Sequence, residues 1–234
     1  MNDFLNVDYT MESNSLMNQT PDETSSAVKA EIMRKYEKFA PWYDLVEGIL
    51  EFLGVKNFRH RLLRRASGRV LEIAVGTGKN LQYYSEGCQI TAVDLSPAML
   101  EIARKRARDL SLHVAFFVMD GETLAFRDQS FDTVIDSLTL CTFPDPVVAL
   151  REMARVCRTD GRILLLEHGR SERGWLGHWQ DRKADRHAQR LGCRWNREPL
   201  DLVCQAGLTL ITSRRTFLGI FHEIEAEPPR NGIS

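Results

Sequence analysis

The sequence predicts an α/β fold built on a parallel sheet covered by helices on both faces. Three observations carry that expectation. Val70-Leu71-Glu72-Ile73-Ala74-Val75 is an apolar run around a single acid, and it ends in the glycine turn Gly76-Thr77-Gly78. Such a run reads as a buried parallel strand opening onto a ligand that the backbone must approach closely. Ile90-Thr91-Ala92-Val93-Asp94 is a second apolar run, closing on an acid eighteen residues after Gly76. Beyond it, short apolar runs alternate with segments of helical spacing up to about residue 167, as a sheet with crossover helices requires.

The elements follow in order. Residues 1–24 are rich in Asn, Ser, Thr, Asp and Met without periodicity, and are expected to be a disordered tail ahead of a single domain over 25–234. Residues 26–63 carry a helical pattern broken near Pro41 and Gly54, the core of a cover segment over 25–66. Strands are expected at 69–75, 89–94, 113–118, 131–136 and 162–167, and helices at 79–85, 97–109 and 146–158. Two helix starts are well signed. Ser96-Pro97 and Asp145-Pro146 each place a capping side chain before proline at the first helical position. Val147, Leu150, Ala154 and Cys157 fall on one helical face, and Asp160-Gly161 turns the chain into the next strand. Residues 170–197 interrupt the alternation with Trp175, Trp179, Trp195 and eight basic against three acidic residues, and are expected to form a helical lid. A helix at 197–206 and strands at 208–215 and 217–226 complete the chain.

Composition sets bounds on function. The 234 residues suffice for one domain with a full core. A net charge of −1 gives no global field to attract nucleic acid. The sequence has no apolar run long enough for a transmembrane helix and no basic, apolar leader pattern at its start, so a cytoplasmic protein is expected. Five cysteines without C-x-x-C spacing fit reduced thiols.

The ligand is narrowed by what is missing. The dinucleotide fingerprint needs a third glycine three residues after the second, and position 81 is Leu. The motif present, Glu72-x-Ala74-x-Gly76-x-Gly78, resembles the first motif, usually E-x-G-x-G-x-G, of class I S-adenosylmethionine (SAM) methyltransferases. Ala74 is the departure, at the first glycine. The resemblance runs in register to about residue 170 and more loosely to the C-terminus. It implies a Rossmann-like seven-stranded sheet, SAM as cofactor and S-adenosylhomocysteine as product. Glu72, Ala74, Gly76, Thr77 and Gly78 would surround the amino acid head and ribose. Asp94, with Leu95 and Met99 beside it, would take the ribose diol, because Ser96 already serves as the helix cap. Met119-Asp120-Gly121-Glu122 resembles the adenine segment, which adds Asp120, Gly121 and Glu122. Tyr36-Glu-Lys-Phe-Ala-Pro-Trp-Tyr43 resembles the cover helix of the methyltransferase type 11 relatives that include the ubiquinone/menaquinone C-methyltransferases. An aromatic there, Tyr36 or Tyr43, would face the sulfonium.

The acceptor site is expected at the end of strand 131–136, the carboxyl edge where such sheets bind ligands. Asp136 is the first candidate for contact with acceptor or sulfonium, with Ser137 beside the cofactor. His168, after Glu167 at the end of the next strand, is the candidate base. Cys141 reads as a small buried residue. Leu138, Leu140, Phe143 and the lid tryptophans would make the pocket apolar. Cys141-Thr142 replaces the Arg-Asn of quinone C-methyltransferases, and Leu140-Cys141-Thr142 is more similar to a methyltransferase-like group with thiol- and lipid-amine-methylating members. His178, Asp181, Asp185 and His187 lie among arginines, so no metal site is expected. The runs Arg59–Arg65 and Arg104–Arg108 read as solvated helix faces that, with the basic lid, leave room for peripheral contact with an anionic membrane. The reading is methyl transfer to a small, partly apolar acceptor: a thiol, amine, hydroxyl or quinol carbon. The alternatives are a non-catalytic SAM-binding protein and a nucleotide-dependent oxidoreductase, the latter disfavoured by the absence of a Tyr-x-x-x-Lys pair. A nucleic-acid substrate is not expected, because a base-flipping Asn-Pro-Pro-Tyr motif is also absent.

Overall fold

Seven strands form one mixed sheet in the order β3-β2-β1-β4-β5-β7-β6 in the computed structural model. They are β1 Arg69–Ile73, β2 Gln89–Asp94, β3 Val114–Val118, β4 Phe131–Ser137, β5 Cys157–His168, β6 Thr209–Thr216 and β7 Phe221–Glu227. The structure describes residues 54–229 and the single helical residue Arg34. The expected tail, the cover segment before residue 54 (Arg34 apart), Tyr36 and Tyr43 lie outside the described residues. Strands β1 to β5 run parallel, and β7 runs antiparallel to both β5 and β6. The Rossmann-like expectation therefore stands, including the final hairpin.

Five helices accompany these strands among the described residues: α1 Lys56–Leu63, α2 Pro97–Asp109, α3 Pro146–Val156, α4 Gly174–Leu191 and α5 Pro199–Gln205. Both signed caps form. Ser96 Oγ accepts from Met99 N–H at 3.3 Å, and Asp145 Oδ1 accepts from Val147 and Val148 N–H at 3.0 and 3.2 Å. Each is typically worth about 1 kcal/mol. The segment expected as a lid is largely the single helix α4, ended by Gly192 at φ +71°, a left-handed cap that suits glycine.

The sheet alternates its apolar residues between two faces, as a period of two requires. Leu71, Ile73, Val134, Ile163 and Leu165 pack with Leu150, Met153 and Val203 of α3 and α5. Val70, Ile135, Leu164 and Leu166 pack with Leu62 and Leu63 of α1.

Two expected elements differ. The helix at 79–85 is a single 3-10 turn, Leu81–Tyr83, ended by an extended Tyr84. Asn80 and Tyr84 point inward to Glu72 instead of following a helical face. Tertiary hydrogen bonds to a buried acid outweigh local helix propensity here. Asp160-Gly161 does not separate helix from strand, because β5 already begins at Cys157. The segment bulges against β4, where the register shifts between Phe131 and Thr133.

Candidate functional site

The strand order reverses between β1 and β4, the switch point at which open α/β sheets bind ligands. A cleft opens there, lined by Arg59, Glu72, Ala74, Val75, Gly76, Thr77, Lys79, Asn80, Ser137 and Thr139. Five of these, Glu72, Ala74, Gly76, Thr77 and Ser137, are sequence-predicted cofactor residues. The two glycines of the turn do different work. Gly76 has φ +55° and open space where a side chain would begin, so the cleft comes up to bare backbone. At Gly78 a Cβ would lie 2.8 Å from Leu81 Cδ1 and 3.2 Å from the Ala103 backbone. Its glycine seats the turn on α2 rather than facing the cleft.

Ala74 occupies the left-handed region at φ +49°. The position asks for glycine, and an L-residue there costs roughly 1–2 kcal/mol. Glycine in turn loses about 0.5–1 kcal/mol more backbone entropy on folding. Ala74→Gly is therefore expected to raise the melting temperature, by about 2 °C. Thermal denaturation by circular dichroism checks this, and an unchanged or lower midpoint would show that the loop carries no such strain.

Glu72 is buried at the floor of the cleft. Its Oε1 accepts from Asn80 Nδ2 at 2.8 Å and its Oε2 from the Tyr84 hydroxyl at 2.7 Å. Asn80 also donates to Ser137 Oγ at 3.0 Å and accepts from Arg59 Nη1 at 2.7 Å. Burial pushes the Glu72 carboxyl up to about 7, against the pull of Tyr84, Asn80 and Arg59. Arg59 is a correction to the expected solvated helix face: it is 5% exposed and its guanidinium closes this network. Asn80 and Tyr84 carried no sequence signal of their own, since nothing local says that a polar side chain turns inward.

Asp94 ends β2 beside the glycine turn. Its Oδ2 accepts from Gly76 N–H and its Oδ1 from Ser96 N–H, both at 2.8 Å. Burial raises its pKa, opposed by these backbone donors. Asp94 thus braces the glycine turn, and like Gly78 it is not itself among the residues that line the cleft. Met119 N–H donates to the Asp94 carbonyl at 3.1 Å, which sets the expected adenine segment alongside. Leu95, Met99, Asp120, Gly121 and Glu122 do not line the cleft itself. Met99 is buried, Asp120 Oδ1 accepts from Glu122 N–H at 2.9 Å, and Glu122 Oε1 accepts from Asp145 N–H at 2.7 Å. Glu122 therefore anchors the start of α3. A Cβ on Gly121 would lie 2.8 Å from Ile73 and 2.9 Å from Phe143.

The acceptor-side expectations change most. Asp136 is 0% exposed and is absent from the cleft lining. Its Oδ1 accepts from the Thr139 hydroxyl, and Thr139 N–H donates to Glu167 Oε1 at 3.1 Å. Asp136 and Glu167 are within hydrogen-bond reach of each other, and no other donor meets Asp136 Oδ2 or Glu167 Oε2. Two buried carboxyls side by side cannot both ionise cheaply. Burial and the Asp136 charge push Glu167 well above the carboxylate range, and burial takes Asp136 to about 6. As placed, Asp136 holds the Thr139 loop through that hydroxyl.

That loop is further fixed by Leu138, at φ +62°, whose N–H donates to the Leu166 carbonyl at 2.7 Å. Leu140 is buried in the core, and Phe143 packs against it and against Gly121. Trp175 is 72% exposed, Trp179 and Trp195 meet at a tilted 42° with ring centroids 5.1 Å apart, and His187 stacks on Trp195 at 4.0 Å. His178, Asp181, Asp185 and His187 are not gathered: His178 meets the Gly174 carbonyl, Asp181 pairs with Arg170, and Asp185 faces Arg194.

His168 instead meets two cysteines. Its Nε2 lies 3.5 Å from Cys193 Sγ, and one ligand atom from each of Cys141, His168 and Cys193 falls within 4.8 Å of the others. The Cys141 thiol donates to the Leu138 carbonyl at 3.7 Å, and the nearness of the two sulfurs pulls the Cys193 thiol down while, with burial, driving Cys141 up. The sequence reading took Cys141 and His168 separately and passed over Cys193, because the lid brings it back from more than fifty residues away.

The residues fit SAM in their chemistry: Gly76 brings bare backbone to the cleft, and Asp94 is bonded to that turn. A family model described as a methyltransferase domain matches residues 71–165. Methyltransferase OMS1, mitochondrial, of Saccharomyces cerevisiae is 33% identical over 206 residues, 79% of this chain and 43% of its own. The chain thus spans less than half the length of that relative. Demethylmenaquinone methyltransferase of Thermus thermophilus is 34% identical over 149 residues, 61% of this chain and 68% of its own. Among solved structures, a chain from the complex between the Haloferax volcanii Trm112 methyltransferase activator and a methyltransferase superposes with a TM-score of 0.65 at 17% identity, covering 83% of this chain and 98% of that one. Motif order, sheet order, switch-point cleft and these likenesses agree: the chain belongs to the class I SAM-dependent methyltransferases.

Proposed function

We propose that this chain transfers the methyl group of SAM to a small, partly apolar acceptor, a thiol, amine, hydroxyl or quinol carbon. The observation that carries the reading is the cleft at the switch point, where Gly76 presents bare backbone above the buried Glu72–Asn80–Arg59 network. SAM supplies an electrophilic methyl, so the protein's main task is alignment, which can be worth about 7–11 kcal/mol. Gly76 and Asp94 hold the nucleoside end, with Leu95, Met99 and Asp120 to Glu122 beside it. Glu72 and Asn80 hold the polar end, and Ser137 and Thr139 border the acceptor side. The Asp136–Glu167 pair fixes Thr139 from behind. Peripheral contact with an anionic membrane remains part of the proposal through the basic faces of α2 and α4. No described helix is long and apolar enough to cross a membrane.

Calorimetry is expected to show S-adenosylhomocysteine binding more tightly than NAD, and labelled SAM to methylate at least one of a panel of thiols, amines, phenols and quinols. Tighter binding of NAD would overturn the cofactor assignment. Binding of S-adenosylhomocysteine without turnover on any acceptor would favour a SAM-binding protein without catalysis.

A further inference from the structure

We propose that Cys141, His168 and Cys193 form a zinc(II) site. It stands apart from the cleft and is independent of the methyl-transfer reading. Three distant segments build it: the loop after β4, the last residue of β5, and the turn after α4. The donor types are right, since two sulfurs and one imidazole suit zinc over the harder divalent ions. The spacing is right as well. Ligands 2.3 and 2.0–2.1 Å from a tetrahedral zinc stand roughly 3.6 Å apart. Cys193 Sγ and His168 Nε2 stand 3.5 Å apart, and all three donor atoms lie within 4.8 Å of one another.

The backbone around the cluster holds it in this arrangement. Gly192 reverses the chain in a left-handed turn as α4 ends, which brings Cys193 back over the sheet edge. Arg194 N–H then donates to the Cys141 carbonyl at 2.9 Å. The Arg197 guanidinium donates to the Leu140 carbonyl and, at 2.9 Å, to that of Phe143. The two loops that carry the cysteines are thereby tied together through groups other than the sulfurs. Zinc would hold both sulfurs as thiolates, with the Cys141 proton released on binding, and two thiolates cancel the charge of the ion. Three protein ligands leave a fourth position for water or an incoming heteroatom, the pattern of an open zinc site.

The test uses the whole chain, reduced, stripped of metal by a chelator and titrated with cobalt(II) as the probe. A thiolate-to-cobalt charge-transfer band is expected to saturate at one equivalent and to be abolished by added zinc. Cys193→Ser should keep roughly half of that intensity, one thiolate of two. His168→Ala should weaken binding while keeping the band, and Cys204→Ser, at an exposed cysteine elsewhere, should change nothing. Far-UV circular dichroism checks that each variant is folded. The proposal is overturned if the reduced parent gives no saturable band, or if Cys193→Ser and His168→Ala both titrate like the parent. It is equally overturned if mass spectrometry finds a Cys141–Cys193 disulfide and the reduced protein takes up no cobalt.

Discussion

Asp94→Ala is expected to weaken S-adenosylhomocysteine binding by roughly 10- to 150-fold, the loss of one charge-assisted hydrogen bond worth about 1.5–3 kcal/mol. A second loss comes through the protein itself. Asp94 accepts the N–H groups of Gly76 and Ser96 in a half-buried place, so alanine leaves both donors short of a partner. An unsatisfied buried donor costs about 1–3 kcal/mol. The melting temperature should therefore fall with the affinity, whereas an acid that only faced its ligand would leave stability unchanged. Calorimetry and thermal denaturation of the same variant separate the two effects. A lower melting temperature with unchanged affinity would make Asp94 a brace of the glycine turn and nothing more.

The second large effect is a pH dependence set by Glu72. Its carboxyl rises from 4.5 in the unfolded chain to about 7 in the folded one, chiefly through burial. The folded state then holds a proton that the unfolded state has released. Stability contributed by that proton is present below pH 4.5 and is lost as pH rises through 7. For a fully buried group the loss is of order 3 kcal/mol. The groups facing it are Tyr84, Asn80, Arg59 and Asp136, and only the first three favour the ionised form. Glu72→Gln keeps the shape and removes the titration. Without cofactor, the variant is expected to gain stability relative to the parent between pH 5 and pH 8. Denaturant unfolding at the two pH values reads this as a difference, so the parallel slopes from Asp136 and Glu167 cancel. An identical pH dependence in parent and variant would place the Glu72 proton elsewhere in the network.

These two acids illustrate what a single sequence reveals. Both stand out because a charged residue inside an apolar strand or at its end needs a reason, and motif spacing then supplies the reason. Asp136 stands out on the same logic, yet its partner was misread. The acid it meets is Glu167, thirty-one residues on and on the next strand, where register alone brings the two together. Arg59 shows the opposite failure. In a run of basic residues it looks like a wet helix face, and only the packing of α1 over the sheet turns it inward to Asn80.

The sequence by itself determined the order of strands and helices, the glycine turn, both proline-started helices and the cofactor class. The elements rest on periodicity or on residues near one another in the chain, where local sterics and capping act directly, and the cofactor class rests on the resemblance of the Glu72–Gly78 motif. Tertiary structure decided which polar groups meet: Glu72 with Asn80 and Tyr84, Asp136 with Glu167, and His168 with Cys141 and Cys193. Those meetings depend on strand register and on the return of the lid over the sheet edge. Both are fixed by burying two apolar faces at once, which no local stretch of sequence encodes.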